Sequence, residues 1–243
     1  MFGLGISLRL LSKGLPTSSD IFWVSKGSID AILKGLNPYG IAFPVYNNPQ
    51  IHSIILAYLP FSILFEIPFQ VLLGDLRYAI IFADVGIAIL LYLIIKVKNE
   101  DIARAASGFY LLLTFPLNFG TPLIISEYRI FNGEPDPIWV FLILFAAYAY
   151  MKDKQFAAAI LIGLSIATKQ FAFLFFIPMF IMWMKKNDLG KRQYKPIIIS
   201  LLTSIAIMLP FMFSSNGFIS QTMFLMDQNY RPVFPAYFLN YHF

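Results

Sequence analysis

The stretch Tyr78–Ile95, YAIIFADVGIAILLYLII, is an unbroken apolar run apart from one charged side chain, Asp84. Coiled as an α-helix, a run of this length reaches close to the roughly 30 Å thickness of a bilayer's hydrocarbon core. The stretch therefore predicts a membrane-spanning helix, and the other spans and loops can be assigned relative to it. An ionisable side chain is costly against lipid, so we expect Asp84 to face a partner within a helical bundle.

The composition of the whole chain favours the same class of protein. Of its 243 residues, 58% are hydrophobic and 13% are charged, whereas ordinary soluble domains carry about 25% charged residues. A soluble fold of this size cannot bury so much apolar surface, so we predict an all-α, polytopic transmembrane helical bundle. The chain has no cysteine, which excludes disulfides, thiolate metal sites and a cysteine nucleophile. Its net charge of +5 gathers in short loops, which indicates membrane orientation rather than a nucleic-acid partner.

Further apolar runs follow towards the C-terminus. Three of them predict additional spans, at Ala103–Ile125, Pro137–Met151 and Pro196–Phe213. The run Phe156–Trp183 is too long for one helix across a bilayer and too short for two full spans. We therefore predict a hairpin of two short helices there, with Thr168-Lys169-Gln170 at or near its turn.

Charged residues in the loops predict the orientation. Basic clusters around Lys98, Lys152 and Lys191 place three loops in the cytoplasm by the positive-inside rule. The loop Glu127–Asp136 carries three acids and one arginine, which indicates the opposite side. Alternation of the spans then places the segment before Arg77 outside as well.

That N-terminal segment, residues 17–77, is predicted as a large extracytoplasmic first loop carrying interfacial helices. One helix would begin near Asp20, and Asn37–Gly40 has the residue order of a turn. Ile51–Gly74 is apolar, but prolines and Glu66 interrupt it, so we predict one or two interfacial or re-entrant helices. Residues 1–16 would be the remnant of a first helix or an anchor, 78–213 the transmembrane bundle, and 214–243 another outer loop.

Four short motifs follow one another along the chain. They are Asp20 with an aromatic-rich helix and Asn37-Pro38-Tyr39, then Tyr58-Leu59-Pro60 with Gly74–Tyr78, then Phe131–Pro137, and then Ala158–Phe171 with Gly163 and Lys169. In this order they resemble the polytopic GT-C glycosyltransferases, and most closely the polyprenol-phosphate-mannose-dependent mannosyltransferases. Glu134 stands where the family pattern has glutamine. Such enzymes usually continue for several more helices, so we expect a single membrane-embedded module that is incomplete at both ends.

The resemblance implies sugar transfer on the extracytoplasmic side. A hexose, which we expect to be mannose, would pass from a polyprenyl phosphate to a lipid-linked glycan, a glycolipid or a glycoprotein. Asp20 matches the family's general base, which takes the proton of the acceptor hydroxyl, and direct displacement implies inversion at the anomeric carbon. Asp20 is also consistent with a plain helix-start acid favoured by the helix dipole. No cofactor is expected, and a divalent metal has no support in the sequence.

Five further residues are predicted to bind the substrates. Asn132, Glu134 and Asp136 would line the cleft, although the two acids also suit the start of a helix. Lys169 would contact the lipid phosphate unless it snorkels to the membrane surface. Arg231 would contact the same phosphate or be an ordinary surface charge.

Two other classes of protein remain open at this point. The charges Asp84 and Lys169 within apolar runs would suit a transporter component, although the sequence shows no inverted repeat. A degenerate relative serving as a non-catalytic membrane scaffold is the third interpretation. As an integral membrane protein the chain would lie in the plasma membrane if prokaryotic, and in the endoplasmic reticulum if eukaryotic.

Overall fold

The computed structural model describes residues 2–13, 20–44, 53–113, 133–170, 172–184, 194–213 and 218. Within these ranges the chain is mostly helical, as predicted. The helices are α1 Phe2–Lys13, α2 Asp20–Leu33, α3 Pro60–Leu73, α4 Arg77–Ile95, α5 Glu100–Leu113, α6 Asp136–Met151, α7 Gln155–Ile166, α8 Ala172–Met184 and α9 Lys195–Phe213.

Helices α4 and α9 are long and apolar enough to cross a membrane. Each begins one residue before the span predicted from the sequence, at Arg77 and at Lys195. On α9 the apolar side chains point outward, with Ile198 and Leu202 53% and 58% exposed, while Ser200 and Ser204 are buried. Outward apolar residues and inward small polar residues are the arrangement expected of a helix surrounded by lipid.

The run Phe156–Trp183 forms two short helices, α7 and α8, as predicted. Lys169 lies between them, where the chain leaves one helix and enters the next. Phe176 and Trp183 of α8 pack in the same buried cluster as Ile162 of α7. The two helices are therefore held together by apolar contacts.

The segment before α4 differs in part from its prediction. Helix α3 begins only at Pro60, a residue favoured in the first turn of a helix. The residues ahead of it form strand β2, Ser53–Ile55, which pairs antiparallel with strand β1, Ala42–Pro44. This strand pair is an addition to the predicted all-α architecture. Its pairing joins residues across a connecting segment, which local sequence patterns do not reveal.

The turn predicted at Asn37–Gly40 follows α2 and holds the end of α9. The Asn37 side-chain oxygen accepts a hydrogen bond from the Tyr39 backbone N–H at 3.1 Å, which stabilises the turn. The Asn37 amide nitrogen donates to the Phe211 carbonyl oxygen at 3.0 Å. The turn after α2 is thus fixed to the C-terminal end of α9.

Asp84 faces a partner inside the bundle, as the sequence predicted. Arg9 Nε of α1 lies 2.5 Å from Asp84 Oδ2 of α4, and both side chains are buried. Arg9 also donates to the carbonyl oxygens of Gly5 and Leu111, at 3.0 Å each. The Tyr110 hydroxyl donates to the other Asp84 oxygen. This network joins α1, α4 and α5.

Replacing Arg9 by methionine should lower the free energy of unfolding by about 3–5 kcal/mol, because it leaves the buried Asp84 carboxylate without its counter-ion. Arg104→Met is the matched control, since Arg104 pairs with Glu100 while 64% of its side chain is exposed. Such an exposed pair contributes about 0–1 kcal/mol. Denaturation of the detergent-solubilised protein measures both. Equal losses would contradict a structural role for the buried pair, and adding Asp84→Leu to Arg9→Met should restore stability.

Candidate active site

The starts of several helices meet at one end of the bundle. The Phe61 backbone N–H in the first turn of α3 donates to the Ala167 carbonyl oxygen at the end of α7, at 2.9 Å. The Arg77 guanidinium at the start of α4 lies 5.1 Å from the ring centre of Phe22 in α2. Lys169, between α7 and α8, forms an ion pair with Asp136 at the start of α6. The starts of α3, α4 and α6 carry partial positive charge that favours anions, whereas the end of α7 carries partial negative charge.

Tyr58, which precedes α3, is a buried tyrosine whose pKa is affected by several acids. Burial raises the pKa of the Tyr58 hydroxyl well above its usual value, and the charges of Asp136, Glu134, Glu66 and Asp20 raise it further, in that order. Asp20, Glu134 and Asp136, three of the residues predicted as site residues, therefore act electrostatically on one buried phenol. The Tyr58 hydroxyl stays protonated at neutral pH.

Asp20 is the first residue of α2 and is half-buried. Its carboxylate accepts a hydrogen bond from the Ile21 backbone N–H at 2.9 Å, so it also serves the start of the helix. Asp30, on the same helix, is exposed. The structure therefore brings Asp20 and not Asp30 to the group of acids around Tyr58.

Lys169 and Asp136 form an ion pair, so the two residues belong to the same part of the candidate site. Both side chains keep about a quarter of their surface exposed, at 22% and 26%. The Lys169 ammonium also lies 6.0 Å from the Tyr58 ring centre. Its position at a helix junction, next to a carboxylate and an aromatic ring, differs from that of a lysine reaching out from mid-helix.

Phe22 contacts two of the segments near the candidate site. One contact is with Arg77, whose guanidinium is held by Asp75 through Nε–Oδ1 and Nη2–Oδ2 contacts of 3.0 and 2.8 Å. The other is with Gly133, so close that a Cβ there would lie 3.2 Å from the Phe22 Cα. This packing sets the separation between the start of α2 and the segment bearing Glu134.

Sequence reasoning did not assign roles to Tyr58, Asp75 or Arg77. All three lie in the motif Tyr58-Leu59-Pro60 with Gly74–Tyr78. The motif indicated that the segment matters, but it did not indicate a chemical role for any of the three. Asn132 and Arg231, which it did assign, lie outside the described residues. Within the ranges that the structure describes, no three histidine, aspartate or glutamate side chains come close enough to hold a metal ion.

The model of glycosyltransferase family 87 matches residues 56–225, more than half of the chain. The chain belongs to glycosyltransferase family 87. This is a GT-C-type family of membrane glycosyltransferases, so the protein is a membrane enzyme that uses a sugar donor and an acceptor. The predicted GT-C resemblance and the enzyme class are confirmed. No curated protein and no solved structure matches the chain.

The family 87 match covers Tyr58, Glu134, Asp136 and Lys169. It begins after Asp20 and ends before position 231. The assignment of Asp20 therefore depends on the motif order around it and on its place near Tyr58.

Gly133→Ala should lower sugar transfer by this family 87 enzyme. Gly133 has φ +72°, where other residues are strained by about 1–2 kcal/mol, and the new Cβ would push against Phe22. Gly35→Ala is the matched control, because Gly35 has φ +74° and a Cβ there meets nothing within 4 Å. Both variants should lose similar thermal stability, and only Gly133→Ala should lose transfer rate per folded molecule. Equal loss of transfer in both would show that strain alone is responsible.

Proposed function

We propose that this enzyme transfers a hexose, specifically mannose, from a polyprenyl-phosphate donor to an acceptor hydroxyl on the outer side of the membrane. The observation that supports the proposal is that Asp20, Glu134 and Asp136 all act electrostatically on one buried phenol, Tyr58, whose ring centre lies 6.0 Å from the Lys169 ammonium. The basic loops support a multi-pass arrangement with this end of the bundle outside. The compartment would be the plasma membrane of a prokaryote or the endoplasmic reticulum of a eukaryote.

A lipid-borne donor suits the surroundings of Lys169. Helix α8 starts three residues later and exposes Phe173, Leu174 and Ile177, at 49%, 61% and 47%. A polyprenyl chain lying along this apolar surface would bring its phosphate to the Lys169 ammonium. The sequence has no glycine-rich loop of the kind that holds a nucleotide sugar.

The proposed reaction is a single displacement. The acceptor oxygen attacks the anomeric carbon, the bond from that carbon to the phosphate oxygen breaks, and the lipid phosphate leaves with the electron pair. Asp20 takes the hydroxyl proton, and the configuration at the anomeric carbon inverts. The partial positive charge of the helix starts and the Lys169 ammonium stabilise the departing phosphate.

The remaining groups fit the charge that develops on the sugar. Glycosyl transfer passes through an oxocarbenium-like state, in which the ring carries positive charge. The carboxylates of Glu134 and Asp136 near Tyr58 would stabilise that charge. The Tyr58 hydroxyl stays protonated and would donate a hydrogen bond to the donor. The acceptor is a lipid-linked glycan, a glycolipid or a glycoprotein.

Asp20→Asn should reduce transfer at least a hundredfold, because general-base catalysis contributes about 10²–10⁴-fold. The amide keeps the size of the side chain and can still accept the Ile21 hydrogen bond, so expression and donor binding should be near normal. Asp30→Asn is the control on the same helix. Transfer of radiolabelled mannose from polyprenyl phosphate in membranes measures both. An essential Asp30 with a dispensable Asp20 would assign the base to the other carboxylate.

Lys169→Met should reduce kcat/KM for the donor by about 10- to 100-fold, the range expected for losing a hydrogen bond to a charged group. Adding Asp136→Asn separates two explanations. The reference is the Asp136→Asn single variant, because Asp136 has a proposed role of its own. If Lys169 served only to neutralise Asp136, Lys169→Met would lower kcat/KM no further in that background. If Lys169 binds the phosphate, the double variant should be about 10- to 100-fold below the Asp136→Asn single variant. Initial rates at varied donor concentration distinguish these outcomes.

A further inference from the structure

Helices α2 and α3 carry four buried side-chain oxygen atoms for which the described residues supply no hydrogen bond of ordinary geometry. They are both carboxyl oxygens of Glu66 on α3 and the hydroxyl oxygens of Ser25 and Ser28 on α2. All three side chains are completely buried, at 0% exposure. Ser28 follows Ser25 by one turn, so the two hydroxyls share a face of α2.

The described part of the chain offers these oxygens no counter-charge. Buried polar groups are almost always paired, and an unpaired one indicates a bound water or ion that the protein side chains do not replace. Burial raises the pKa of Glu66 well above its usual value, and a hydrogen bond with Ser25 lowers it. A proton on Glu66 is the competing explanation, because it removes the charge and lets the carboxyl donate to a serine oxygen. The infrared measurement described below distinguishes the two.

A small cation would satisfy the charge and all four oxygens together. A site made only of oxygen ligands suits a hard ion. The set carries one negative charge, and the described residues hold no group of three acids or histidines that would suit a divalent metal. A monovalent cation therefore matches the single negative charge of the site. Glu66 also acts electrostatically on Tyr58, so the carboxyl lies just behind the candidate active site.

We propose that Glu66, Ser25 and Ser28 form a binding site for a monovalent cation, sodium, between α2 and α3. The ion holds the helix that begins with Asp20 against α3. It also neutralises the charge that an ionised Glu66 would exert on Tyr58.

The test is thermal unfolding of the purified, detergent-solubilised full chain, followed by the fluorescence of its tryptophans. Sodium chloride is compared with choline chloride at equal ionic strength. Sodium should raise the unfolding midpoint of the wild type saturably, because an ion that binds only the folded state stabilises it. Glu66→Gln should abolish the sodium-specific rise, and Asp30→Asn, which changes an exposed carboxylate on α2, should keep it.

Ser25→Ala should raise the half-saturating sodium concentration at least about tenfold, since even groups outside the direct ligands affect metal affinity by 10–100-fold. If Glu66→Gln does not fold, the sodium dependence of the Ser25→Ala unfolding midpoint tests the proposal in its place. An identical wild-type midpoint in the two salts would overturn the proposal. So would an infrared band of a protonated carboxyl that persists in sodium and is lost in Glu66→Gln. These measurements do not depend on transfer activity, so their outcome is independent of the proposed reaction.

Discussion

The contact of Phe22 with Arg77 and Gly133 is the interaction on which the candidate site depends. Asp20 and Glu134 are far apart in the sequence and belong to different elements. They are linked in space through Phe22, which follows Asp20 by two residues and contacts both the Arg77 guanidinium and Gly133, the neighbour of Glu134. Because Asp75 holds the guanidinium through two hydrogen-bonded nitrogens, the ring packs against a rigid surface rather than a mobile chain. The acids can then keep fixed positions around Tyr58.

The membrane determines how the remainder of the chain is built. Lipid does not drive apolar side chains inward, so α9 exposes Ile198 and Leu202 and buries serines against its neighbours. The same solvent makes charge expensive, so Asp84 is surrounded by donors from two other helices. The non-helical backbone at Tyr58 and at Lys169 lies against other parts of the protein, and the candidate site is there.

The sequence was sufficient for features that depend on long apolar runs. The bounds of α4 and α9 and the division of Phe156–Trp183 into two helices follow from run length, and the partnership of Asp84 follows from the cost of a bare charge in lipid. The strand pair and the roles of Tyr58 and Arg77 depend on contacts between distant segments, which periodicity does not encode. Glu66 was interpreted only as an interruption of an apolar run, because its serine neighbours lie on another helix.

The ion pair between Arg9 and Asp84 has a consequence for biosynthesis. The two residues are 75 positions apart, and α1 leaves the ribosome first. At about 5–20 residues per second, the aspartate is synthesised roughly 4 to 15 seconds after its partner. During that interval Arg9 lacks the carboxylate that pairs with it in the folded bundle. The final packing of α1 against α4 therefore forms only after α4 has been synthesised.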